Sequence, residues 1–157
     1  MRAKVRRFRS PDKFDGSKSL QQLEGEDWGE PTYHTHLVKE CHRLRRIPLR
    51  DFTVEDLRIM IGQNIGLEYL APLALERLQA DPYAEGDYYP GDLLVNVLRS
   101  DAGFWRRHPE LRQQLVVIAE RATGPSKALP VNADETEVGY IAEAYAEFKR
   151  QQTSVTR

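Results

Sequence analysis

The chain has one cysteine, Cys41, in 157 residues. A lone thiol forms no internal disulfide and cannot by itself build a thiolate zinc site, so this usage fits a reducing compartment. No apolar run approaches the roughly 20 residues that a membrane span requires. The N-terminus, Met1 to Arg9, is basic, but the apolar middle part of a secretory signal does not follow it. A soluble, cytoplasmic protein is expected. No segment sustains the period-two alternation of a half-buried strand, and the nearest approach, Val116-Val117-Ile118, sits inside a helical stripe. No repeating unit indicates a solenoid. A glycine-rich phosphate loop, a serine-nucleophile elbow and a zinc motif are all missing. These absences argue against an enzyme, and no catalytic residue, metal or cofactor is expected.

What is present is charge, unevenly distributed. The net charge of −1 conceals a basic start: residues 1–18 carry seven Lys/Arg against two Asp/Glu, and residues 19–157 carry 16 against 22. Residues 1–18 are expected to be a solvated leader, and residues 19–157 a single helical domain. Nucleic-acid binding needs a basic face against phosphates, which the acidic body does not offer. It suits a partner that is itself basic. The alternative is a helical regulator or adaptor that contacts nucleic acid through Arg2, Lys4, Arg6, Arg7 and Arg9 of the leader.

Apolar residues recur at helical spacing along most of the body. Ser19 can cap one turn carrying Leu20 and Leu23, before Gly25, Gly29 and Pro31 break the chain. Leu37, Cys41 and Leu44 make the stripe of the next helix, and Arg43, Arg45 and Arg46 suit its C-terminal dipole. Thr53 with Asp56 opens a helix on Leu57, Ile61 and Ile65. Pro72 interrupts the series Leu67, Leu70, Ala74 and Leu78. A new helix starting near Ala71 would hold this proline in its first turn without strain. Residues 81–92 are rich in turn formers. Leu94, Val97 and Leu98 follow on a short helix, and Asp101 can cap a turn with Phe104 and Trp105. Pro109 opens the stripe Leu111, Leu115, Ile118 and Ala122, which Gly124-Pro125 ends. Asp134 with Glu137 caps a final helix on Val138, Ile141, Tyr145 and Phe148. The expected fold is all-α, a compact irregular bundle of about six to seven helices.

His34, His36, Cys41 and His42 could each ligate a metal. The two-residue step between the first pair does not place them on one helical face, and Cys41 falls on the apolar stripe. Cys41 and His42, adjacent on a helix, point about 100° apart and do not form a nucleophile–base pair. Glu85 and Asp87 could be proposed as an acid/base pair, but no motif supports them. The loop that holds them points instead to an interface. Tyrosine and tryptophan give large contact area at low entropic cost, and neighbouring carboxylates pair with a partner's Arg or Lys. Glu85, Asp87, Tyr88 and Asp92 form one candidate patch. Glu26, Asp27 and Trp28 form a second. Inward packing of Trp28 and Tyr88 over helix ends is the competing reading.

Three ordered motifs carry a resemblance. They are Leu20-Gln21-Gln22-Leu23-Glu24-Gly25-Glu26-Asp27-Trp28-Gly29-Glu30, the run from Phe52-Thr53-Val54-Glu55-Asp56-Leu57-Arg58 to Gly62-Gln63-Asn64-Ile65-Gly66-Leu67, and Glu85-Gly86-Asp87-Tyr88-Tyr89-Pro90-Gly91-Asp92-Leu93-Leu94. Over about residues 19–122 the chain resembles bacterial contact-dependent growth inhibition immunity proteins. The resemblance implies a cytoplasmic protein encoded beside a toxin. It would bind the toxin's C-terminal domain, often a nuclease, and cover its active site. It implies no catalytic residues and no cofactor.

Overall fold

A computed structural model describes residues 15–125 and 127–154. Residues 1–14, which include the five basic leader positions named above, lie outside the described residues. The described chain is all-α, with eight α-helices, six of them seven residues or longer, and no strand. No helix among the described residues is long and apolar enough to cross a membrane. Within the stretch that the sequence presents as one domain, the chain clusters into two compact units, divided after Asp51.

The first unit, described from residue 15 to Asp51, contains α1 (Leu20–Glu24), α2 (His36–Leu44) and a 3-10 turn at Leu49–Asp51. Ser19 caps α1 through a capping box with Gln22, and Gly25 stops the helix in the left-handed conformation. Thr35 caps α2 by accepting from the Val38 amide. The segments on either side of this pair meet at an isolated antiparallel bridge, Ser19 with Pro48, and the Leu49 amide donates to the Lys18 carbonyl at 3.0 Å. Leu20, Cys41, Leu44 and Leu49 form the small apolar centre. Leu37, expected on the buried stripe of α2, is instead 42 % exposed. The inward positions of α2 and its end are Cys41, Leu44 and Arg45, so the buried face lies toward the helix's end and leaves Leu37, in the first turn, outside.

The second unit, from Phe52, contains α3 (Val54–Gly62), α4 (Leu67–Ala80), α5 (Asp92–Arg99), α6 (Ala102–Arg107), α7 (Pro109–Thr123) and α8 (Glu135–Thr153). The caps are those read from the sequence: Thr53 with Asp56, Asp101 onto the amides of Gly103 and Phe104, and Asp134 with Glu137. Helix α5 packs against α3, α4 and α8. Six of its eight residues are buried, five of them apolar, and its polar residues Asp92, Asn96 and Arg99 share one face. Helix α4 departs from expectation. It starts at Leu67 and runs through Pro72 without a break, so the proline sits well inside the helix and not in the first turn of a new one. Pro72 lacks the amide that would donate to the Glu68 carbonyl. Burial of Leu67, Leu70, Ala71, Pro72, Ala74, Leu75 and Leu78 along the same helix outweighs that loss.

Candidate functional site

The loop between α4 and α5, residues 81–91, holds Glu85, Asp87 and Tyr88, and Asp92 follows it as the first residue of α5. The base of the loop is fixed in the core. Tyr83 is buried, and its hydroxyl donates to the Ala122 carbonyl near the end of α7. Burial pushes its phenol above the ordinary tyrosine range. At the far end, Gly91 adopts φ +91° beside Ile141 of α8.

Asp92 draws the loop together from the first residue of α5. Its side chain is 1 % exposed. One carboxylate oxygen accepts from the Gly86 amide at 2.7 Å, and the other from the Tyr88 amide at 3.1 Å and the Tyr89 amide at 3.5 Å. The expectation that Asp92 offers its charge at the surface is therefore corrected. A carboxylate at a helix start, within reach of three loop amides, is better satisfied inside the loop than in water.

A second clamp comes from α3. Arg58 donates two hydrogen bonds to Glu55, one of them from Nε at 2.7 Å, and the same carboxylate accepts from the Asp87 amide at 2.8 Å. Burial raises the Glu55 carboxyl, but the bonds from Arg58 and the Asp87 amide outweigh it and hold the group below its usual range. The pairing with Glu55 in turn raises the Arg58 guanidinium above its ordinary value. Arg58 also lies 4.0 Å from Asp92 and stacks 4.4 Å from the centre of the Tyr88 ring.

This scaffold leaves particular groups facing solvent. Tyr88 is 70 % exposed although its ring rests on Arg58. Asp87 is exposed, and its carboxylate has no hydrogen bond among the described residues, in contrast to its amide. Glu85 is exposed and accepts from the Asn132 side chain at 3.0 Å. Tyr89 is half-buried against the partly exposed Tyr140 of α8, with ring centres 5.3 Å apart. Glu85, Asp87 and Tyr88 are thus brought together at the surface.

The second patch belongs to the first unit. Glu26, Asp27 and Trp28 are exposed on the segment after α1. Asp27 accepts from the Gly29 amide at 2.8 Å, a turn closed by its own side chain. Trp28 is anchored from one side: the Arg45 guanidinium lies 4.2 Å from the ring centre, and the His42 ring meets the indole in an edge contact at 5.3 Å. Arg45 itself is 2 % exposed. It pairs with Glu24 at 3.1 Å and donates to the Glu26 carbonyl at 2.8 Å.

The residues that hold both patches, Asp92, Glu55, Arg58 and Arg45, were not read as supports in the sequence. One signal was available: Glu55 and Arg58 stand at the i, i+3 spacing of a helical ion pair. Nothing local marks Arg45 as buried, because its partners lie 19 and 21 residues away.

Residues 22–115 match the model of a family described as CDI immunity proteins, where CDI stands for contact-dependent growth inhibition. The matched stretch includes both patches and all four supporting residues, and ends before α8. No curated protein and no solved structure matches the chain.

Proposed function

Because the chain belongs to the CDI immunity proteins, we propose that it binds the C-terminal toxin domain of a contact-dependent growth inhibition system, a nuclease, and neutralises it by covering the active site. It does this in the cytoplasm of the cell it protects, by binding alone and without a cofactor. Glu85, Asp87 and Tyr88 make one set of contacts, and Glu26, Asp27 and Trp28 a second. Asp92 acts behind the first set by holding the loop.

The observation that carries this reading is the geometry of Tyr88. A large aromatic ring stands 70 % exposed, yet it rests on an arginine that is itself locked to Glu55. An exposed ring that is already ordered loses little entropy on binding, which is the property of a good anchor. The carboxylates of Glu85 and Asp87 stand beside it. Residues 52–157 carry 16 Asp/Glu against 11 Lys/Arg, so the acidic surplus belongs to the unit that presents this loop. A nuclease groove is basic because its substrate is a polyanion, and an acidic aromatic surface complements it.

The test is a titration of the full chain with the toxin domain encoded beside it, with toxin activity assayed in parallel. One-to-one binding at nanomolar Kd or tighter, about −12 kcal/mol, with loss of toxin activity is expected. Changing Glu85 and Asp87 together to Lys is expected to weaken binding by roughly a hundredfold or more. Unchanged affinity in a correctly folded double variant would remove the loop from the interface. No binding at all would overturn the reading.

A further inference from the structure

Helix α8 lies outside the stretch that matches the family, residues 22–115. One side of it is core, where Val138, Ile141, Ala144, Tyr145 and Phe148 are buried. The edge beside that core carries Thr136, Tyr140, Glu143 and Glu147, whose steps of four, three and four keep them in one row along the helix. Two contacts place this row beside the loop and α5. The Tyr140 ring meets that of Tyr89 with centres 5.3 Å apart, and Glu147 lies 4.0 Å from Arg99. A third contact joins the loop to the segment before α8, where Asn132 donates to Glu85 at 3.0 Å. The surface that holds Glu85, Asp87 and Tyr88 therefore continues onto α8. Along this continuation Tyr140 is 44 % exposed, with its ring already ordered against the half-buried Tyr89. Glu143 is exposed and makes no hydrogen bond or ion pair among the described residues. Glu147 is loosely held, since it and Arg99 keep 45 % and 49 % of their side-chain exposure.

We propose that this row, Tyr140 with Glu143 and Glu147, belongs to the toxin-binding surface and extends the Tyr88 loop into one acidic, aromatic strip. The proposal rests on the immunity reading above and deepens it by adding α8 to the contact. The occupant is a basic protein surface. An aromatic ring with carboxylates one and two turns further along the same row suits Arg and Lys side chains. Their charged heads pair with the carboxylates, and their stems or guanidinium planes lie against the ring. Tyrosine beside unpaired charge is also the composition that protein interfaces favour for anchors. A polyanion such as nucleic acid would be repelled by the same carboxylates.

The experiment is a calorimetric titration of the full chain and its variants with the toxin domain encoded beside it. Glu143→Lys should weaken binding about tenfold or more, and Tyr140→Ala about tenfold. Tyr140→Phe keeps the ring and should stay within about threefold of the parent chain. Ala142→Lys is the control. It adds positive charge at an exposed position about 100° round the helix from Glu143 and about 160° from Tyr140, and it should also stay within about threefold. Both lysine variants alter exposed positions and should melt at the parent temperature. Tyr140→Ala also removes a neighbour of Tyr89, so Glu143→Lys, which loses no internal partner, is the deciding variant. Unchanged affinity in Glu143→Lys, while the parent chain binds and inhibits the toxin, would overturn this proposal and leave the immunity reading standing. An equal loss in Ala142→Lys would also overturn it, because net charge and not position would then govern binding. No binding by the parent chain would remove both readings together.

Discussion

Asp92→Ala deletes the acceptor for the amides of Gly86 and Tyr88 and leaves them without partners in a closely packed loop. A stability loss of about 2–4 kcal/mol is expected in urea titrations. Under the proposed function, toxin affinity should fall with it, because Tyr88 and Asp87 would no longer be held. Arg45 is the corresponding residue of the first unit. Arg45→Ala strands Glu24, frees the Glu26 carbonyl and removes the support under Trp28. Glu24 keeps 27 % of its side-chain exposure, so water softens the loss. About 2–3 kcal/mol is expected. Arg45→Lys should recover only part of it, since an ammonium supplies neither the planar stack nor two directed bonds. Glu55 gives the same loop an acid limit. Its carboxyl is held below the usual range in the folded chain. Its contribution is therefore complete above the unfolded value of about 4.3 and lost as pH falls through the lower folded value. The protection of the Asp87 amide, relative to its intrinsic exchange rate at each pH, should fall over that interval. An amide whose protection does not change with pH there would show that Glu55 is not its clamp.

At the scale of elements, starts and stops were largely legible and interiors less so. Ser19, Thr53, Asp101 and Asp134 all cap the helices they precede, because a capping side chain acts within three residues of itself. The stripes Leu111, Leu115, Ile118, Ala122 and Val138, Ile141, Tyr145, Phe148 are buried as their spacing requires. Three interior readings failed. Ile65, expected on the buried stripe of α3, lies beyond that helix, which ends at Gly62, and is only half-buried. Pro72 lies inside α4, because propensity costs little against a helix with seven buried residues. Leu37 faces outward, because it sits in the first turn of α2, whose buried residues Cys41 and Leu44 lie in its second half. Gly91 is the joint between the loop and α5. At φ +91° a side chain is strained, and a Cβ would stand 2.6 Å from Ile141 Cδ1. Gly91→Ala should cost about 2 kcal/mol and lower the melting temperature, with α5 and α8 pushed apart at that point. An unchanged melting temperature would show that Ile141 yields freely.

At the scale of the whole chain, the proposed immunity role makes a prediction about salt. If the acidic surplus of residues 52–157 steers the toxin, the association rate should fall about tenfold or more between about 50 and 500 mM salt, with a much smaller change in dissociation. A rate that ignores salt would place the recognition in the aromatic contacts and not in charge. The all-α class and the places where most helices begin, α4 excepted, followed from the sequence alone, because they depend on spacing and capping between near neighbours. Family membership was likewise carried by ordered motifs within the chain. The burial of Asp92 and Arg45, the run of α4 through Pro72 and the fixing of an exposed Tyr88 on Arg58 were decided only by tertiary structure. In each case the deciding partner comes from packing or from a distant part of the chain, and a charged side chain becomes an internal support only when folding brings that partner within reach.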